Sequence, residues 1–381
     1  MNVFKSADIL LPNQVDLEKW AVIACDQFTS DPVYWRRVRQ TAGDGPSTIH
    51  MILPEAELGT ADEAASVRAI NGAMENYLAK DVFTTYPNSY IYIERTLVDG
   101  SVRPGLLGVV DLEAYDYHHG SVSPIRATEK TVLERIPPRQ RVRKDAALEL
   151  PHVLMLCDDD QKRLIEPLAA MKDQLTVLYD FELMEGGGRI RGWLVNGEIA
   201  KAFDDRLSDF GKGIAQKYAD LNGSPVLLAV GDGNHSLATA KSCYEALKAA
   251  NPNEDLSNHP ARYSLVELQN IHDDSQVFAP IHRIITGTNA KKLLDDLKAV
   301  CASEGYPVEW VIGEQKGKLF LDTNKGELAV AVLQEFLDAW LSENSGEIDY
   351  IHGDEEVCSL ARQENAIGFL LPPMEKHQLF R

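Results

Sequence analysis

Cysteine is scarce and scattered: five residues, at positions 25, 157, 243, 301 and 358, with no Cys-x-x-Cys. An odd number without close spacing excludes a disulfide framework and a zinc ribbon, and it suits a reducing compartment. Long apolar runs are also missing. No stretch approaches the ~18–20 residues of a membrane-spanning helix, and residues 1–8 carry no signal-peptide core. A soluble cytoplasmic protein is expected. Positive charge is in deficit, with 38 Lys+Arg against 58 Asp+Glu and a net charge of −20. Such a body repels phosphate backbones, so neither a nucleic acid nor a membrane is expected as partner. Internal repeats and low-complexity tracts are absent, as are Walker, GxGxxG, G-x-S-x-G and H-E-x-x-H signatures.

What is present is ordinary globular composition, 44% hydrophobic and 25% charged, over 381 residues. That length suits two domains or one large lobed one. Residues 16–26 read as an apolar strand ending in an acid, and 31–40 as a helix with Trp35 and Val38 on one face. Residues 49–53 read as a short strand and 61–79 as an amphipathic helix. Alternation over 90–98 and 106–112, around Asp99-Gly100, predicts a hairpin. Residues 176–203, with Asn196-Gly197 as a second turn, predict a three-stranded meander. From about 215 helix and strand alternate: strands at 226–230, 263–268, 348–352 and 367–371, helices at 237–250, 289–301, 327–343 and 355–362. The boundary is expected between 205 and 260, giving a β-rich lobe over 1–215 and an α/β lobe over 216–381.

The sharpest local feature is the buried strand at 226–230 followed by Gly231-Asp232-Gly233-Asn234-His235-Ser236 and a helix. Strand, two-glycine loop and helix N-terminus form an anion cradle, because the first backbone N–H groups of a helix lack partners and carry partial positive charge. Asp232 suits Mg²⁺ binding or proton abstraction, and His235 suits proton transfer or phosphate binding. The competing reading is a tight turn in which Asp232 and Asn234 serve geometry and Ser236 caps the helix. A second feature is residues 126–144, with seven Lys/Arg against two Glu. This is either a phosphate-binding strip or a solvated surface.

Several smaller features are read as structural. His282-Arg283 would complete an anion site only with help from elsewhere. Tyr350-Ile351-His352-Gly353-Asp354 ends a strand, His118-His119 lacks a third ligand, and Gly186-Gly187-Gly188 serves a hairpin. Asp158-Asp159-Asp160 reads as a solvated turn, although acidic clusters also hold hard cations.

Four ordered segments together resemble a widespread bacterial and archaeal family known as domain of unknown function 1015. Its Asp-Gly-His-His-Arg box corresponds to Asp232, Gly233, Asn234, His235 and Ser236. Its upstream His-Glu-x-Thr segment is similar to Arg126-Ala127-Thr128-Glu129. Its Pro-Thr-His-Arg segment is similar to Pro280-Ile281-His282-Arg283, and its Pro-Tyr-Asp segment to Ala24-Cys25-Asp26. Two box positions depart, Asn234 for histidine and Ser236 for arginine, so either another arginine, with Arg126 and Arg283 as candidates, replaces the lost phosphate donor or the ligand differs. Family members also continue to a Lys-Ser/Thr-x-aromatic segment that is not found before Arg381.

The box also resembles that of the free-serine kinases of the ParB/sulfiredoxin superfamily. The run of strand-like and helical segments gives an α+β fold with mixed sheets and a C-terminal α/β lobe, and the resemblance adds a ParB/sulfiredoxin-like element. It implies a nucleotide-dependent small-molecule phosphotransferase using Mg²⁺ and ATP or ADP. Asp232, His235 and Glu129 would be catalytic, with Asp232 also holding the metal. Gly231, Gly233, Asn234, Ser236, Arg126, Thr128, His282 and Arg283 would bind phosphate or nucleotide. The alternatives are a nucleotide- or phosphometabolite-binding regulator without turnover, and a scaffold protein. A homo-oligomer is compatible with each.

Overall fold

The alternating segment around Asp99-Gly100 forms the hairpin its pattern predicts, and that hairpin is the centre of a large sheet. In the computed structural model, the described residues are 3–24, 31–54, 57, 62–118, 120–128, 131–150, 153–219, 224–276, 280–322, 329–372 and 376–380. The chain divides into two compact units, before and after residues 276/277, with Phe380 assigned to the first.

The first unit contains β1 (Phe4–Lys5), β2 (Ala7–Pro12), α1 (Leu17–Trp20), α2 (Pro32–Ala42), α3 (Glu63–Ala79), β3 (Phe83–Thr96), β4 (Val102–Asp111), β5 (Tyr115–Asp116) and β6 (Ile125–Ala127). It continues with α4 (Ile136–Arg143), β7 (Val153–Cys157), α5 (Glu166–Ala170), β8 (Thr176–Glu182), β9 (Arg189–Val195), α6 (Gly197–Lys217), β10 (Leu228–Asp232), α7 (Asn234–Ala250) and β11 (Tyr263–Asn270). The strand order is β5-β6-β10-β7-β11-β4-β3-β9-β8, with β1 on β4 and β2 on β3. The sheet is mixed: β5, β6 and β10 run parallel, β7 is antiparallel to β10, and β11 is parallel to β7. Its other pairings are antiparallel.

The second unit contains β12 (Ile281–Thr286), α8 (Ala290–Val300), β13 (Tyr306–Ile312), β14 (Gln315–Leu321), α9 (Ala329–Glu343), β15 (Glu347–His352), α10 (Asp354–Leu360) and β16 (Ile367–Leu370). Its strands pair in the order β14-β13-β16-β12-β15, all antiparallel. Successive side chains of a strand face opposite sides, and β12 shows it. Ile285 joins Leu293 and Leu297 of α8 and Leu333 and Leu337 of α9, whereas Ile284 joins Val357 and Ala361 beside α10.

The α+β expectation holds, with four differences of detail. First, the second sheet is antiparallel, so the C-terminal part is not the alternating parallel arrangement expected. The hairpin β13/β14, with Trp310 half-buried against the core, accounts for residues the sequence reading left without an element. Second, the division after residue 276 lies beyond the expected 205–260, because β10 and β11 are built into the N-terminal sheet. Third, the meander has two strands. After Asn196, Ala200, Phe203, Leu207, Phe210 and Ile214 are buried at helical spacing, and α6 forms where a third strand was expected. Fourth, residues 17–20 form a short helix capped by Asp16, and residues 48–51 a 3₁₀ turn, where strands were expected.

Candidate functional site

β10 lies between β6 and β7, and its register explains what gathers at its carboxyl end. Leu228, Ala229 and Val230 stand opposite Ile125, Arg126 and Ala127 of the parallel β6. Both strands therefore run out at the same edge, and Thr128 and residues 131–132 lie beside the glycine box. The Thr128 hydroxyl donates to the Val230 carbonyl oxygen at 2.7 Å. Between Val230, opposite Met155, and Asp232, opposite Leu154, the register shifts by one residue at Gly231. A Cβ there would lie 2.9 Å from Leu156 Cγ. Packing against β7 therefore accounts for Gly231.

Gly233 adopts φ +83°, the left-handed region that glycine enters without strain, and starts α7. The Asp232 carboxylate accepts the Gly233 N–H at 2.7 Å. No side chain caps α7, and Ser236 lies within its first turn rather than at the cap expected of it. Asn234 and Thr131 are each 7% exposed. Asn234 Oδ1 and Thr131 Oγ1 have no hydrogen-bond partner among the described residues. A buried polar atom left so costs about 1–3 kcal/mol. His235 Nε2 accepts the Val132 N–H at 3.2 Å, which puts the proton of the neutral ring on Nδ1.

The basic segment is partly drawn to this end, since α4 packs along α7 and Gln140 Nε2 donates to Ser242 Oγ at 2.7 Å. Three of its cations are engaged elsewhere: Arg141 with Glu63, Arg143 with Glu149, and Lys144 with Asp145. Arg126 Nε donates to the Ser123 carbonyl at 2.8 Å, and its guanidinium also binds the Ser224 carbonyl. Ser224 precedes β10, so this guanidinium is held toward the opposite end of the strand from the box. Burial lowers its pKa.

Glu129, Cys25 and Asp26 lie outside the described residues, and Ala24 has no regular structure. His282 and Arg283 belong to β12 of the second unit. His282 Nδ1 accepts the Leu371 N–H at 3.1 Å, and Nε2 therefore donates to Asp354 at 2.8 Å. Arg283 donates to Gln334 Oε1 at 2.8 Å and to the Ile281 carbonyl at 2.6 Å, and its guanidinium lies over the Tyr350 ring. These contacts give both side chains structural work within that sheet.

A second polar centre was not anticipated. Asp158 and Asp159, expected in a solvated turn, are each 1% exposed. They follow β7 at the end opposite the box. Asp158 accepts from Tyr218 OH at 2.5 Å and from Lys217 Nζ at 2.8 Å, and its other oxygen meets His272 Nε2 at 2.6 Å. Asp159 Oδ2 accepts the Arg163 and Leu164 N–H groups at 2.5 and 2.8 Å. Asn270 Nδ2 donates both to the Asp159 carbonyl at 2.9 Å and to Glu166 Oε1 at 2.7 Å. Asp159 Oδ1 and Glu166 Oε2 are buried and have no hydrogen-bond partner among the described residues. Burial, and then the carboxylates of Asp159, Glu166 and Asp158, push the Cys157 thiol well above its ordinary pKa. The usable signal was position: Asp158 follows a buried apolar strand, as does the box.

The chain matches the family described as "protein of unknown function (DUF1015)" over residues 9–369, and it belongs to that family. No curated protein and no solved structure matches it. No helix among the described residues is long and apolar enough to cross a membrane.

Proposed function

We propose that the box end of β10 binds the phosphates of a nucleotide and that the protein transfers a phosphoryl group to a small hydroxylated metabolite. The carrying observation is the parallel register of β6 and β10. It sets Thr128 and the 131–132 segment beside the N-terminus of α7, where Asn234 and Thr131 hold buried polar atoms without partners. Phosphoryl transfer is mainly positioning and charge stabilisation, which backbone N–H groups, hydroxyls and an amide supply. Asp232, with one oxygen held by Gly233 N–H, is placed to hold Mg²⁺ or to take a hydroxyl proton. One protein carboxylate suffices, because Mg²⁺ is commonly held by one or two carboxylates together with substrate phosphates. His235, with its proton on Nδ1, serves as a hydrogen-bond donor. The resemblance of the box to free-serine kinases of the ParB/sulfiredoxin superfamily makes serine the first acceptor to try.

A second reading, a nucleotide-binding regulator without turnover, is favoured by Arg126. This arginine was expected to replace the box arginine, yet it is tied to backbone carbonyls toward the far end of the strand. Both readings are tested on the full chain by thermal unfolding with ATP, ADP, CTP, GTP and phosphoserine, with and without Mg²⁺, followed by turnover with serine. A nucleotide at ~100 times its Kd should raise Tm by a few degrees. His235→Ala and Asp232→Ala should each lower turnover by ~10²-fold or more. A nucleotide that stabilises but stays intact selects the regulator. No shift with any nucleotide overturns both.

A further inference from the structure

The carboxylate centre beyond β7 holds more negative charge than its neighbours neutralise. Asp158 is satisfied by Tyr218, Lys217 and His272, and Lys217 also pairs with Asp160 at 2.9 Å. Lys172 is occupied by Glu94 at 2.8 Å. That leaves Asp159 and Glu166, each with one oxygen bonded and one oxygen buried and bare. Asn270 Nδ2 bonds both the Asp159 backbone carbonyl and the Glu166 carboxylate, and both carboxylates act on the Cys157 thiol, so the two residues are neighbours. Burying an ionised carboxylate with half its acceptor capacity unused is costly unless a cation completes it.

The chemistry of the bare atoms narrows the cation. A guanidinium pairs best with both oxygens of one carboxylate, and here each carboxylate has already committed one oxygen to protein N–H donors. Calcium takes about six to eight oxygen ligands, and among the described residues no group of three His, Cys, Asp or Glu is placed to hold a metal. An ammonium is compact, has three rotatable N–H donors and needs one oxygen from each partner. The setting also suits a ligand, because β7 and β11 run parallel and ligands of α/β sheets bind beyond the carboxyl ends of such strands.

We propose that Asp159 and Glu166 form a binding site for the primary ammonium group of a small molecule. The site is separate from the glycine box and does not rest on the reading given to that box.

The test uses the full chain with ethylammonium chloride and 1,4-diaminobutane dihydrochloride as probes. Tetramethylammonium chloride, which has no N–H, serves as control at matched ionic strength, together with KCl and MgCl₂. Thermal unfolding should show a saturable rise in Tm with the two amines and none with tetramethylammonium. Asp159→Asn and Glu166→Gln keep shape and fold and supply N–H in place of charge. Each should raise the half-saturating amine concentration about 10-fold or more, and Asp159→Asn should melt no lower than the parent without amine. His235→Ala should respond to amine as the parent does. The proposal is overturned by an equal shift with tetramethylammonium, by a saturable shift with KCl or MgCl₂ alone, by no shift, or by an amine shift that survives both substitutions.

Discussion

The two ends of β7 carry the two polar centres of the first unit, and they are built in different ways. At the end beside Asp232, the groups come from one contiguous box and from the strand next to it, and the atoms on offer are backbone N–H, hydroxyl and amide. At the other end, the groups come from residues more than a hundred positions apart, such as Asp158 with His272 and Asp159 with Asn270, and the atoms are mostly carboxyl oxygens. β7 is antiparallel to β10, with Leu154 opposite Asp232. Five residues then separate Leu154 from Asp159, about 17 Å at strand spacing. The comparison teaches that one short strand can carry N–H, hydroxyl and amide groups at one end and carboxyl groups at the other.

The largest expected effect breaks the carboxylate end. Asp158→Ala removes the acceptor shared by Tyr218, Lys217 and His272, and should destabilise by ~3–5 kcal/mol, the usual cost of breaking a buried ion pair. Chemical denaturation measures it. If the ends are independent, the folded fraction of this variant keeps its affinity for any box ligand. A change in that affinity would join the two ends into one site.

A smaller effect sharpens the box end. Thr128→Val removes the hydroxyl bonded to the Val230 carbonyl and should cost ~1 kcal/mol by the same assay. It should weaken binding at the box while leaving the amine response unchanged. Nucleotide affinity equal to that of the parent would remove Thr128 from the site.

The smallest effect is a pH dependence. The hydrogen bond from Lys217 lowers the Asp160 carboxyl below its ordinary value of 3.8. The folded value lies below the unfolded one, so this contribution is present above the unfolded value and is lost as the pH falls through the folded one. Asp160 is half exposed, so the contribution is slight. Asp160→Asn should lower Tm slightly at neutral pH and flatten the acid limb of the profile below about pH 4. A loss at neutral pH far beyond that of an exposed ion pair would mean that Asp160 supports the buried Asp158.

Legibility followed the range of the interactions. The glycine box was readable because its strand, loop and helix are contiguous, and β10 with α7 forms where the pattern placed it. The hairpin β3/β4 was readable for the same reason. The third strand expected after Asn196-Gly197 failed because the turn signal outweighed a helical stripe from Ala200 to Ile214 that is buried against the rest of the unit. Arg126 was chosen for its chemistry, but where a long side chain points depends on acceptors at Ser123 and Ser224, and its own neighbours do not reveal the second of these.

From composition, periodicity and local turn chemistry alone follow the α+β class, most elements, and the strand-loop-helix box. These are properties of neighbouring residues, and neighbours in the chain remain neighbours in the fold. Strand order belonged to the tertiary structure. It placed β10 in the N-terminal sheet rather than in a C-terminal lobe, set Thr128 beside Val230, and gave His282 and Arg283 to another sheet. It also buried Asp158 and Asp159 and half-buried Glu166, acidic residues that were indistinguishable in sequence from solvated ones. A carboxylate is kept out of water only by donors that folding brings from far along the chain, and no local pattern encodes which donors those will be.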